Sequence, residues 1–174
     1  MIKQKSIQEI ARKGFEKGYQ LEKNLKICSQ CSLAAILETL DMPYEHLIKA
    51  FSGFGGGIGK SAKGVCGALI GGTAAISCFF GRDYDDFLTG ESISDNCLIL
   101  SRKLIKIFEQ EYDGITCASV QTHLMGKSFD LFIPEEKTAF DAVDGNEHCS
   151  IVVGKASQWA IELILEEKEK QKGE

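Results

Sequence analysis

Apolar residues recur at helical spacing along most of this chain. From Ser6 to Gln20, the positions Ile7, Ile10, Ala11, Phe15 and Tyr19 fall near the 3.6-residue period and predict a first amphipathic helix, against which Gly14 and Gly18 count. A second helix, about Lys26 to Leu40, carries Leu33, Ile36, Leu37 and Leu40 on one stripe and stops before Asp41 and Pro43. Tyr44 to Phe51 reads as a short third helix, Ser52 to Gly64 as a glycine-rich loop, and about Cys66 to Phe80 as an apolar, buried helix. A polar connector then runs through Gly90, after which Asp95 can cap a helix from Asn96 to Tyr112 with Cys97, Leu100, Leu104 and Phe108 on one face. Ile115 to Val120 has strand character but no partner strand, so a short helix around Ala118 to Leu124 is preferred. The final helix, about Asn146 to Lys168, has Cys149, Val152, Val153, Ala156, Ala160, Leu163 and Ile164 on its stripe. Helix follows helix, which predicts an all-α, single-domain bundle of about six to seven helices over residues 1–174, with about 166–174 a frayed charged tail.

Composition narrows the class. A chain of 174 residues can bury roughly 70% of its unfolded surface, enough for one core without disulfide staples. At 44% hydrophobic and 26% charged it is globular rather than disordered. Its 20 Lys and Arg against 25 Asp and Glu leave a formal charge of −5, which argues against nucleic acid as a partner and against anionic lipid. Residues Met1 to Gln20 lack the apolar stretch of a secretory signal, and Val65 to Phe80 is shorter than the roughly 20 residues of a membrane span. A cytoplasmic protein with no membrane insertion is expected. In that reducing compartment seven cysteines point to metal or redox chemistry more than to structural disulfides.

The run Gly53-Phe54-Gly55-Gly56-Gly57-Ile58-Gly59-Lys60-Ser61 invites a phosphate-loop reading, but the glycine needed five residues before Gly59 is Phe54, and no strand leads into the loop. Residues free to take positive φ instead let backbone wrap closely around a neighbour, either a helix or a sulfur-rich centre. Cys28-Ser29-Gln30-Cys31 has the spacing of a redox dithiol and of half a metal site. Ser32 follows it where covalent haem attachment requires histidine, so no covalent haem is expected. On a helix, Cys28, Cys31 and Ala35 form a small, sulfur-bearing face nearly opposite the leucine stripe. Cys66 opens the apolar helix, where unpaired N–H groups and the helix dipole favour a thiolate. Cys149 is ambiguous between core filler and ligand, Cys117 is undetermined by periodicity, and Cys78 and Cys97 read as packing residues. The adjacent His148 and Cys149 do not make a hydrolase triad.

An early cysteine, a glycine-rich segment, the hexapeptide Cys66-Gly67-Ala68-Leu69-Ile70-Gly71 and two later isolated cysteines together resemble the redox-active family named C_GCAxxG_C_C. The resemblance runs from about Cys28 to Ile164. It implies a four-cysteine site in which Cys31 is the best fit for the first position and Cys66, Cys117 and Cys149 fit the others. Relatives of this domain occur in split-Soret cytochromes, of which this chain resembles only the cysteine-bearing part. The reading that follows is an electron-transfer protein with an iron–sulfur cluster on Cys31, Cys66, Cys117 and Cys149, Cys28 as an additional redox thiol, and Gly55, Gly56, Gly57, Gly59 and Gly67 supporting the site. Zinc in the same site, metal-free thiol–disulfide chemistry, and an interaction protein with incidental cysteines are the alternatives. The partner would be another redox protein, and a homodimer is compatible with the sequence.

Overall fold

The computed structural model describes residues 2–90 and 95–173, with side chains from residue 6 onward. Its helices are α1 (Ile2–Leu25), α2 (Cys28–Thr39), α3 (Glu45–Ile48), α4 (Gly67–Phe80), α5 (Tyr84–Thr89), α6 (Asp95–Tyr112), α7 (Cys117–Met125), α8 (Pro134–Ala142) and α9 (Gly145–Gln171), with a 3-10 helix at Lys49–Phe54. Among the described residues there is no strand, only one antiparallel bridge between Val65 and Thr116. The fold is all-α.

The nine helices of the described residues exceed the six to seven expected because α5 and α8 carry no apolar stripe. No residue of α5 is buried, and only Phe140 is buried in α8. Local signals mark α8 instead: Pro134 at its start and Glu135 and Glu136 in the first turn. The tail also differs from expectation, since α9 stays helical to Gln171, with Lys170 paired to Glu167 at i,i+3. Met1 and Glu174 lie outside the described residues.

The sequence predicts two unlike faces for α2, but the helix is enclosed almost all round by α1, α4 and α9, so Ser29, Cys31, Ser32 and Leu33 to Leu37 are all buried. Two serines are tolerated there because each donates to a carbonyl, Ser29 Oγ to Phe51 at 2.7 Å and Ser32 Oγ to Ala68 at 2.9 Å. Small residues set the helix spacing. A Cβ on Gly71 would lie 2.5 Å from the Ser29 carbonyl and 2.8 Å from the Leu33 nitrogen, so α2 and α4 meet backbone to backbone. Gly14 and Gly18, which weaken α1 as an isolated helix, form its seam with α9: Cβ atoms there would strike Ile161 at 2.1 Å and Ser157 at 2.7 Å. α6 packs its predicted stripe, Cys97, Leu100, Leu104 and Phe108, against α4 and α9, and Tyr112 is buried with it. No helix of the described residues is long and apolar enough to cross a membrane.

Candidate functional site

Four cysteines reach one place from four helix starts. Cys28 is the first residue of α2, which begins just after Lys26 turns the chain through a left-handed φ of 62°. Cys66 is the N-cap of α4, Cys117 is the first residue of α7, and Cys149 lies one turn into α9. Cys66 and Cys117 are locked side by side by the Val65–Thr116 bridge, in which the Cys66 N–H donates to the Ile115 carbonyl (2.8 Å) and the Cys117 N–H to the Gly64 carbonyl (2.9 Å). The apparent strand at Ile115 finds its partner in the residues before Cys66. Thr116 caps α7 by accepting from the Ser119 N–H, which starts that helix at Cys117, one residue before the sequence places it.

Cys28, Cys66, Cys117 and Cys149 line one cavity of about 90 Å³ together with Glu22 and the backbone of Gly55 and Gly56. Cys31 is buried but is not part of that wall; it lies a helical turn beyond Cys28, near enough to the Glu22 carboxylate to feel its charge. The structure thus brings Cys28 to the cavity with Cys66, Cys117 and Cys149 and sets Cys31 behind them. Cys97 packs in the core with its Sγ 3.3 Å from Ser77 Oγ, whereas Cys78, read from sequence as a packing residue, is exposed. None of the seven cysteines is in a disulfide.

The glycine-rich loop wraps this site in an uncommon conformation. Gly56 to Lys60 are five successive residues with φ between 58° and 70°, and Ala62 adds another at 61°. Left-handed backbone costs a non-glycine residue roughly 1–2 kcal/mol, so Ile58, Lys60 and Ala62 are held there by their surroundings. The turn points the Gly56 N–H at Cys28 Sγ (3.5 Å). It also brings Gly57 so near Cys117 that a Cβ would lie 2.5 Å from the cysteine's own Cβ. At Gly67 a Cβ would lie 2.4 Å from Cys28 Sγ, so glycine there gives the sulfur its space, whereas a Cβ on Gly59 would meet nothing.

Burial dominates the electrostatics. It raises Cys28 and Cys149 far above the ordinary thiol range and pushes Cys66 and Cys117 up to about 12. Backbone N–H groups oppose it, from Gly56 at Cys28 and from Ala68 and Leu69 at Cys66. The helix start at Cys66 therefore acts in the predicted direction, but desolvation outweighs it and the thiols are protonated at neutral pH. Glu22 is only 5% exposed, and burial raises it to about 7 against the pull of Cys31, Lys60 and Lys26.

Two buried side-chain oxygens among the described residues have no hydrogen-bond partner, Glu22 Oε2 and Tyr112 Oη. Glu22 lines the cavity; Tyr112 does not, but, raised chiefly by burial and then by Glu111, it also feels Cys66 and Cys149. Sequence reasoning missed Glu22 as one charge among many on α1, yet Gly14, Gly18 and Glu22 recur every four residues, so the glycine seam that faces α9 carries Glu22 inward. Tyr112 similarly continues the stripe of Leu104 and Phe108.

These features define an all-helical protein with a buried, sulfur-lined centre. The family described as "Putative redox-active protein (C_GCAxxG_C_C)" matches residues 27–163, and the chain belongs to it. All four cavity cysteines fall within the matched stretch, and Glu22 falls outside it. No curated protein and no solved structure matches the chain.

Proposed function

We propose that this chain is an electron-transfer protein whose iron–sulfur cluster is held by the thiolates of Cys28, Cys66, Cys117 and Cys149. The observation that carries the reading is the convergence of these four thiols, from four separate helix starts, on one cavity. Its volume of about 90 Å³ is several times the roughly 10–15 Å³ one water requires, so it has room for a group of several atoms. Among the described residues no group of three or more His, Cys, Asp or Glu side chains stands arranged to hold a metal ion. Sulfurs spaced around a cavity suit a multi-iron group better than zinc, which draws four ligands to one centre.

When bound, such a cluster supplies reversible one-electron chemistry. The chain's own groups hold and tune it. Four thiolates bind the irons, while the N–H groups of Gly56, Ala68 and Leu69 point toward sulfur and favour added negative charge. Val120, Leu131, Phe140 and Val152 exclude water from the wall. Binding must displace the protons of four raised thiols, so affinity should fall steeply with acidity. Seven unpaired thiols fit the reducing cytosol, where the electron partner would be another protein.

The test is anaerobic reconstitution with iron and sulfide, followed by metal analysis and visible absorption. Wild type should take up both and become coloured, Cys66→Ser should abolish this, and Cys78→Ser should not. The Cys28–Cys31 spacing at the start of α2, with Glu22 beside Cys31, favours a second reading as an exchangeable dithiol. Absence of iron uptake together with a reversible two-electron titration at that pair would select it.

A further inference from the structure

Glu22 is a costly residue for a bundle of this size to bury. It lies on the inner face of α1, lines the cysteine cavity and is 5% exposed. The Cys31 thiol is close enough to act on the titration of its carboxylate, and Oε2 has no hydrogen-bond partner. Lys26 and Lys60 also line the cavity and are near enough to favour its charge, but neither makes an ion pair with it among the described residues. A buried carboxylate oxygen left without a donor or cation is strongly unfavourable, and buried charges are paired or coordinate metals.

We propose that Glu22 is an oxygen ligand of the iron group bound in the cavity and that Cys31, rather than binding iron itself, orients this carboxylate. The inference rests on the cluster reading above. It gives the centre a mixed donor set, four sulfurs and one oxygen, with a hard carboxylate ligand at one iron. It also accounts for two placements that the four-cysteine pattern leaves unexplained. Cys31 is buried outside the cavity wall and close enough to act on Glu22; there a thiol turned to one carboxylate oxygen would fix the side chain and leave the other oxygen for metal. Glu22 follows Gly14 and Gly18 on the α1 face turned toward α9, so the seam that holds the bundle together delivers the ligand.

The experiment loads wild type, Glu22→Gln, Glu22→Ala, Cys31→Ala and Cys28→Ser anaerobically with ⁵⁷Fe and sulfide and compares iron content and Mössbauer spectra. Circular dichroism of the metal-free proteins checks that each variant is folded. Wild type should show one iron subsite distinct from its sulfur-ligated neighbours, and both Glu22 variants should lose that distinction while keeping iron. Cys31→Ala should weaken iron binding about 10- to 100-fold, whereas Cys28→Ser should abolish it. A uniform sulfur-ligated spectrum in wild type that Glu22→Gln leaves unchanged would overturn the assignment and leave the cluster standing. So would loss of iron in Cys31→Ala as complete as in Cys28→Ser. If wild type takes up no iron, the cluster reading falls and this assignment falls with it.

Discussion

Where α2 crosses α4 and α9, Leu33, Ile36, Leu37, Ile76, Val153 and Ile161 have no exposure, and the four buried serines, Ser29, Ser32, Ser150 and Ser157, each donate to a carbonyl. Toward their starts the same helices leave a cavity, with the unpartnered Oε2 of Glu22 in its lining and a run of left-handed backbone against it. The difference teaches where the chain departs from consistent packing. Its departures gather where four cysteines meet, as expected when strain and unsatisfied groups are kept for a site rather than for the fold.

The largest expected effect tests the packed side of this contrast. Leu37→Ala removes a fully buried side chain and should cost about 2–5 kcal/mol of metal-free stability in urea denaturation. Cys149→Ala, at a wall that already faces a void, should cost no more than about 1 kcal/mol while abolishing iron uptake. Equal costs for the two would erase the distinction between core and cavity.

Next in size is the pH dependence set by Glu22. Burial lifts its folded pKa from the ordinary 4.5 to about 7, so the folded state holds this proton more tightly than the unfolded state. The associated stability is fully present below pH 4.5 and is lost as pH rises through 7. Across that window the metal-free protein should lose roughly 3 kcal/mol relative to Glu22→Gln. Denaturation curves of both proteins from pH 4.5 to 8 measure it, and parallel pH profiles would show that Glu22 is paired or solvated in solution.

Tyr112→Phe sharpens the comparison in the core next to the site. The hydroxyl is buried without a partner, so its removal should stabilise the metal-free protein by about 1 kcal/mol. In the iron-loaded protein the gain should shrink, because the phenol feels the charge of Cys66 and Cys149, which are thiolates once iron is bound. Thermal melts of both forms give the two numbers, and an equal gain in each would detach Tyr112 from the centre.

Much of the fold was legible because long stripes report burial directly: α6 and α9 follow from the spacing of Leu100, Leu104 and Phe108 and of Val152, Val153, Ala156 and Ala160. α5 and α8 escaped because they bury almost nothing. Within the site, periodicity could not say which cysteine of Cys28 and Cys31 meets the cavity, since both lie on the same narrow face of α2. That choice depends on where α2 begins relative to α4 and the loop, a tertiary fact. Glu22 was hidden for a related reason, because a charge is read as solvated until the helix packed over it is known.

The smallest effect concerns the left-handed turn. Ile58 is β-branched, half exposed and held at φ 64°, where its side chain crowds the backbone. Ile58→Gly relieves about 1–2 kcal/mol of that strain. It also gives the unfolded chain more freedom, which costs about 0.5–1 kcal/mol, and removes the contact of Ile58 with Gly64. The net should be a gain of a few tenths of a kcal/mol in chemical denaturation, with cavity chemistry unchanged because Ile58 does not line it. Gly57→Val, one residue earlier at φ 70°, should act in the other direction, since its Cβ would lie 2.5 Å from that of Cys117. It should lose both stability and iron retention. Opposite signs at adjacent positions would show that the turn is strained at Ile58 and required at Gly57; a loss at Ile58 as large as at Gly57 would mean that the isoleucine holds the turn in place.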